Sequence, residues 1–351
     1  MDTDLPELAE ILAAYGLRAH ADAASTRAAD VAPTAAAHSV ATRVTERVWR
    51  VQTTTGNVAV KRYTLDQSAR AEKEAALVAH LNKHPSPRFQ VQALRRTRAG
   101  AERWVGPHAC AMVTDWAPGA SRTYDTYTPQ EWAALGSSLA ALHLSLEQYP
   151  RPLPDSLHAR LDALDIDEIR GELATAAGMA QARADGASLR AYADACLRLI
   201  DQHYPGSLAG FPKDDPQCPI HNDYNQFNYL FGAVLPPLIL DWEAAIGAPR
   251  EYEVVRCLNH LPLEAPALAA HFVRAYVDVR PLRIERMAWA VDTAILQHGL
   301  KSWIVQGWQK EPARFEAHLQ GSLHMAATLT GARSRLIDFF SGCIEKGSPR
   351  E

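Results

Sequence analysis

Apolar residues recur along this chain with two different periods, and the change from one to the other divides it. Leu5, Leu8, Ile11 and Leu12 share one face of a short helix that Gly16 ends, because steps of three and four return to the same side of a 3.6-residue turn. Residues 20–37 are rich in Ala, Asp, Ser and Thr without a period and read as a linker. From Ser39 the period falls to two. Val40 to Val51 is β-branched and alternating, Thr53-Thr54-Thr55-Gly56-Asn57 is a turn, and Val58 to Tyr63 is a second strand. A helix is predicted from about Gln67 to Leu81, ended by Pro85 and Pro87, with further strands near 89–94 and 109–114.

Past Trp116-Ala117-Pro118-Gly119 the pattern becomes almost wholly helical. Thr128-Pro129-Gln130-Glu131 combines an N-cap, a proline at the first helical position and a capping-box glutamate, and predicts a helix to about Leu146. More helices are expected at 157–180, 185–203, 251–262, 265–278, 283–306 and 311–330. One polar loop, from Cys218, and the hairpin after it interrupt the series. The expected fold class is α+β. An N-terminal helix and linker span 1–37, a small lobe of antiparallel sheet plus helix spans 38–115, and a larger, mainly helical lobe spans 116–351.

The formal charge of −4, with no run of Lys and Arg, argues against nucleic acid or an acidic membrane as partner. Five scattered cysteines without a C-x-x-C pair fit a reducing compartment. The acidic start Met-Asp-Thr-Asp leads into no signal-peptide core, and no apolar run approaches the roughly 18 residues of a membrane span. A cytoplasmic protein is expected. Nothing marks an oligomer interface.

The interrupting loop carries the chemistry. Asp223, Asn228 and Asp241 have a spacing that serves phosphoryl transfer from a nucleotide. That reaction needs a carboxylate to orient and deprotonate a hydroxyl, and oxygen ligands for Mg²⁺ on the triphosphate. Asp223 is the candidate base, and Asn228 and Asp241 are the candidate metal ligands. Glu243, two residues on, reaches either a second metal or a salt bridge with Arg250 or Arg256. Lys61 ends an apolar strand, and Glu74 lies on the helical face of Leu77, Val78 and Leu81. A carboxylate on an apolar stripe needs a partner, and Lys61 is the natural one. His221 is expected to hold the loop by hydrogen bonds, His143 to be a satisfied core histidine, and Trp242 to pack. Trp303 and Trp308 are expected to pack rather than line an acceptor pocket. Cys218 and His221 lack two further ligands for zinc, and no G-x-S-x-G supports a serine hydrolase.

Together these residues resemble the aminoglycoside phosphotransferase/choline kinase-like superfamily, whose fold is that of protein kinases. The pattern H-x-D-x-x-x-x-N followed by D-x-E falls on His221, Asp223, Asn228, Asp241 and Glu243. The His-Asn-Asp and Asp-Trp-Glu variants look like the choline kinase and homoserine kinase type II branches. The opening Leu-Ala-Glu-Ile-Leu-Ala-Ala-Tyr-Gly and the stretch from Met112 to Gly119 are similar to the spore-coat kinase-like group. The resemblance covers residues 38–260 and implies ATP and Mg²⁺ as cofactors. It further implies that Lys61 sits on the α- and β-phosphates, and that adenine hydrogen-bonds backbone near Thr114 to Trp116. Ala59 would roof the base, with Leu230 and Leu240 beneath it.

Two departures stand out. The phosphate-covering loop, Val40 to Arg47, has no glycine, so Thr42, Arg43 or Thr45 would replace the backbone contacts a glycine permits. Glu253 stands for the family's downstream aspartate and is expected to brace the loop. The leading reading is an ATP-dependent kinase for a small hydroxyl acceptor, an amino alcohol or hydroxy amino acid. A nucleotide-binding pseudokinase is the alternative. An aminoglycoside phosphotransferase, the third reading, would need an acidic acceptor pocket, whereas 157–203 and 283–330 carry mixed charge.

Overall fold

The computed structural model describes residues 7–20, 40–117, 119–181, 186–232 and 236–347, and backbone alone for 346–347. Leu5, nearly all of the expected linker and Pro118 lie outside them. In chain order the elements begin with helix α1 (Leu8–Ala14), strands β1 (Ala41–Arg43), β2 (Val48–Thr53) and β3 (Gly56–Thr64), and helix α2 (Ser68–Lys83). Strands β4 (Gln90–Val91), β5 (Trp104–Val105) and β6 (Ala109–Asp115) follow. Next come helices α3 (Pro129–Leu146), α4 (Leu157–Asp162), α5 (Ile166–Gln181) and α6 (Ala187–Ala209). Short strands β7 (Pro219–Ile220), β8 (Tyr229–Leu230), β9 (Leu238–Ile239) and β10 (Ile246–Gly247) precede α7 (Arg250–Leu258), α8 (Leu261–Glu264) and α9 (Pro266–Val277). The chain closes with α10 (Met287–Gly299), α11 (Ser302–Lys310), α12 (Pro312–Leu329) and α13 (Arg333–Gly347).

Two compact units result: Met1–Arg122 with Gln226–Ala244, and Thr123–Asn225 with Ala245–Glu351. They do not follow the expected division at 115–116. The hairpin bearing Asn228 and Asp241 clusters with the sheet, because β9 pairs in parallel with β4.

In the sheet unit, an antiparallel sheet runs β1-β2-β3-β6-β5. Alternation along β3 sends Val58 and Val60 into a core with Ile11, Leu12, Trp49 and Val113, so α1 covers that face. Ala59, Lys61 and Tyr63 consequently share the other face, where Tyr63 packs with Ala71 of α2. The expected long strand 40–51 is instead β1, a turn and β2, since Val44 and Thr45 both donate their N–H to the carbonyl of Val48. The strand expected at 89–94 reduces to β4, which joins β9 and β8 in a separate small sheet.

In the helical unit, α3 packs on α9, and α6 on α5, α10 and α12. Thr128 caps α3 as expected, accepting from the Glu131 N–H at 3.2 Å while Glu131 accepts from the Thr128 N–H at 2.8 Å. Three expected helices are broken. The 157–180 segment divides because Asp165 accepts the Glu168 N–H at 2.9 Å and starts α5 anew. The 251–262 segment breaks at Asn259, whose φ is 48°, and 283–306 breaks at residues 300–301 between α10 and α11. Helix α13 was not expected. Among the described residues, no helix is long and apolar enough to cross a membrane.

Gly136 sets a close approach between α3 and α9. A Cβ there would lie 2.1 Å from the Phe272 carbonyl oxygen of α9. Gly136→Ala is therefore expected to destabilise by about 1–3 kcal/mol, the range for overpacking, read as a lower urea midpoint at unchanged slope. An unchanged midpoint would contradict this account of the α3–α9 contact.

Candidate active site

Within the sheet unit, β3 and α2 bring Lys61 and Glu74 together. The Lys61 ammonium donates to both Glu74 oxygens at 3.1 and 2.9 Å and to Asp241 Oδ1 at 2.8 Å. Glu243 Oε2 lies 3.2 Å from the same nitrogen. Burial opposes the charge on Lys61, but Glu74, Asp241 and Glu243 outweigh it and raise its pKa above the ordinary lysine value. Glu74 is 1% exposed and accepts a further short hydrogen bond from the Tyr63 hydroxyl, which fixes its rotamer.

The hairpin delivers the carboxylates. Asp241 adopts φ 61°, a region that costs a non-glycine residue free energy and is kept when surrounding contacts demand it. A single turn of 3₁₀ helix, Trp242–Ala244, follows and packs against α2 with Trp242 fully buried. The chain past Asp241 is therefore not extended. Glu243 still turns to the same lysine. Its other partners are Arg47 at 2.7 Å and Arg70 at 3.7 Å, not Arg250 or Arg256. Those two are engaged elsewhere, Arg250 with Glu147 and Arg256 with the Asn222 carbonyl. Burial alone would push the Glu243 carboxyl up, yet the Arg47 hydrogen bond and the Lys61 charge hold it below its usual value.

A cavity of about 430 Å³ opens beside these groups, wholly within the sheet unit. Ala59, Leu230 and Leu240 give it apolar walls, and Lys61, Asn228 and Asp241 give it a polar end. Thr114 does not reach the wall; it is buried and pairs with Ala59 in the sheet. The Asp115 and Trp116 N–H groups are donated to the carbonyls of Ala93 and Asn57, at 2.9 and 3.0 Å. Ala117 also lines the cavity.

Of the residues expected to replace the phosphate-loop glycines, Thr45 lines the cavity and Thr42 and Arg43 do not. Arg43 donates to the carbonyls of Thr45 and Glu46 at 3.2 and 3.0 Å. The Thr45 hydroxyl accepts from the N–H groups of Arg47 and Val48 at 3.3 and 3.1 Å. Both side chains fold the turn. The basic residue of this turn at the cavity wall is Arg47.

In the helical unit, the loop after β7 is built around Glu253 of α7. Glu253 is 1% exposed and accepts the His221 N–H at 3.1 Å, a short bond from the Asn222 N–H, and a 2.7 Å bond with His143 Nε2. His143 Nδ1 meets the Tyr276 hydroxyl at 2.7 Å. Asn222 takes φ 62°, which asparagine tolerates better than most residues. His221 Nδ1 then accepts the Asp223 N–H at 3.2 Å, and Asn225 Nδ2 donates to Asp223 Oδ1 at 2.8 Å. Backbone and carboxylate of Asp223 are thus both oriented by neighbours. Such a group can take a proton from a hydroxyl placed against it.

Hard oxygen donors suit Mg²⁺. Ligand atoms of Glu74, Asp241 and Glu243 lie within 4.8 Å of one another, but the Lys61 ammonium contacts all three carboxylates, so that trio is first a lysine site. Asp241, with 38% of its side chain exposed, and Asn228 share the cavity wall and offer oxygens that fit the metal.

Residues 38–287 match the family model described as phosphotransferase enzyme family. The chain belongs to the phosphotransferase enzyme family. It is a phosphotransferase. No curated protein sequence matches it significantly. An aminoglycoside phosphotransferase from Alicyclobacillus acidocaldarius superposes with a TM-score of 0.57 at 15% identity, covering 92% of this chain and 99% of that one. A spectinomycin phosphotransferase, solved with ADP and spectinomycin, gives 0.59 at 12% identity over 84% and 91% of the two chains. A microcompartment-associated aminopropanol kinase gives 0.56 at 16% over 85% and 91%. At such identities the likeness speaks for the fold, which is the α+β, protein-kinase-like one expected.

Several site groups of this phosphotransferase escaped the sequence reading. Arg47 is the basic residue that ends the β1–β2 turn, next to Val48, which pairs with Lys61 across the sheet. Tyr63 lies two residues beyond Lys61 on the same strand, and so on the same face. Asn225 gave no signal, because an Asx side chain in a polar loop has many possible partners. His143, expected to be a satisfied core histidine, is buried and bonded, and its partner is the loop's brace.

Proposed function

We propose that this phosphotransferase moves the γ-phosphate of ATP to the hydroxyl of a small metabolite, an amino alcohol or hydroxy amino acid. The observation that carries the reading is Lys61 held between Glu74 and Asp241 at the polar end of an apolar-walled cavity. Ala59, Leu230 and Leu240 would hold the adenine, and the Ala117 N–H would donate to it. Lys61 and Arg47 meet the phosphates, Arg47 standing in for the missing glycines. Asn228 and Asp241 would hold Mg²⁺, and we assign Glu243 to orienting Lys61 and Arg47. Bound Mg²⁺ supplies charge neutralisation on the phosphates. Asp223 orients the acceptor hydroxyl and takes its proton as the acceptor oxygen bonds to phosphorus, the β–γ bridge breaks and ADP leaves.

Thermal-shift titration tests the nucleotide half. ATP with Mg²⁺ should stabilise the wild type by about 2.7 kcal/mol at a hundredfold excess over Kd. Asp241→Ala should lose the Mg²⁺-dependent part. A Mg²⁺ response that survives in Asp241→Ala removes Asp241 from the metal site, and no response to ATP in the wild type removes the cavity assignment. ADP release across a panel of hydroxyl compounds then reads the transfer.

A further inference from the structure

The helical unit contains a second cavity, of about 440 Å³, whose wall includes Asp223 and Asn225. Its other side is formed by α7, α10 and the α10–α11 junction, through Arg256, Asn259, His298, Lys301 and Trp303. Trp303 is half-exposed, so of the two tryptophans expected to pack only Trp308 is buried.

The charge of this wall is informative. Asp223 is the only carboxylate among its described lining residues, against two cationic side chains, Arg256 and Lys301. Neither cation forms an ion pair among the described residues. Arg256 Nη1 donates to the Asn222 carbonyl, and Lys301 Nζ lies 3.4 Å from His298 Nδ1. His298 Nε2 is 3.2 Å from Asn259 Oδ1, so the neutral tautomer accepts from the lysine and donates to the asparagine. Burial, followed by Lys301, Arg256 and His260, depresses His298 to about 3, so it adds no third charge at working pH. The Lys301 ammonium is itself destabilised, first by burial and then by Arg256. Two cations against one carboxylate leave this half-buried wall with an excess of positive charge, which is costly, and an anion is the ligand that relieves it.

Resting on the kinase reading above, we propose that the acceptor is an organic anion, with its hydroxyl on Asp223 and its carboxylate or phosphate on Arg256 and Lys301. A cationic acceptor such as an aminoglycoside or a simple amino alcohol would meet like charge here. This narrows the acceptor class to hydroxy acids, hydroxy amino acids bound through the carboxylate, and phosphate esters retaining a free hydroxyl. Lys301 is the specificity-determining residue, because Arg256 also supports the loop through Asn222.

The test measures ADP release by the wild type, Lys301→Gln and Lys301→Arg with ATP and Mg²⁺. The acceptors are glycerate, homoserine, glycerol 3-phosphate, ethanolamine and kanamycin. Turnover of one or more of the first three is expected, and the preferred one separates a carboxylate from a phosphate source. Lys301→Gln should raise KM for that anion at least about tenfold, the loss of one charge-assisted contact. KM for ATP should stay unchanged, and Lys301→Arg should restore the anion KM to within about threefold. Turnover of ethanolamine or kanamycin alone, or an anion KM indifferent to Lys301→Gln, overturns the proposal and leaves the kinase reading standing. If no compound is turned over, the kinase reading is what fails. Anion binding is then read by titration calorimetry with glycerate and with glycerol 3-phosphate. Binding by the wild type that Lys301→Gln abolishes supports the cationic wall, and absence of binding overturns it.

Discussion

Asp223→Asn is expected to lower kcat by roughly 10²–10⁴-fold, the contribution of a positioned general base, with ATP-dependent stabilisation retained. The substitution keeps the size and shape of the side chain and removes only its ability to take a proton. The loop around it should persist, because His221 accepts the backbone N–H of residue 223 and Glu253 holds the N–H groups of His221 and Asn222. Nucleotide response should persist too, since Asp223 does not line the cavity beside Lys61. Asp241→Ala should instead lose both turnover and the Mg²⁺ response. A kcat for Asp223→Asn within about threefold of wild type would remove Asp223 from the chemistry.

Glu253→Ala should cost on the order of 3–5 kcal/mol, the range for breaking a buried pair. It strands His143 and two backbone N–H groups in a buried site. Glu253→Gln keeps one acceptor oxygen and tests the charge. Burial would push the Glu253 carboxyl up, but the hydrogen bond from His143 and the Asn222 N–H together hold it below its ordinary value. Because the folded pKa is the lower one, the stabilisation is fully present above the unfolded value and is lost as pH falls through the folded value. Urea midpoints from pH 3 to 7 should therefore show a wild-type advantage over Glu253→Gln. It should be constant above about pH 5 and shrink on further acidification. Parallel curves for the two proteins would mean that Glu253 is not the titrating brace. A slack loop should also lower kcat.

Sequence legibility differed by the range of the interaction involved. The α3 start was readable because Thr128, Pro129 and Glu131 settle it within one turn. Lys61 and Glu74 were readable because strand and helix periodicity each place one residue on a defined face. The breaks in 157–180 and 283–306 were not readable, since an apolar period continues through a short interruption that costs only a few hydrogen bonds. Of the two roles expected of Glu243, the salt bridge forms with Arg47, 196 residues away, rather than with Arg250 or Arg256, which are near it in sequence.

The order of residues settles what is local: the loop that presents Asp223, the hairpin that carries Asn228 and Asp241, and the identity of a phosphotransferase that follows from them. Folding settles what depends on distant partners. It closes Arg47 onto Glu243, pairs β9 with β4 so that the hairpin bearing Asn228 and Asp241 belongs to the sheet unit, and assembles a cationic wall from α7, α10 and their junction with α11. Charge is the physical reason for the difference. A carboxylate or ammonium acts through a few ångströms, and its neighbours at that distance are chosen by packing of the whole chain rather than by spacing along it.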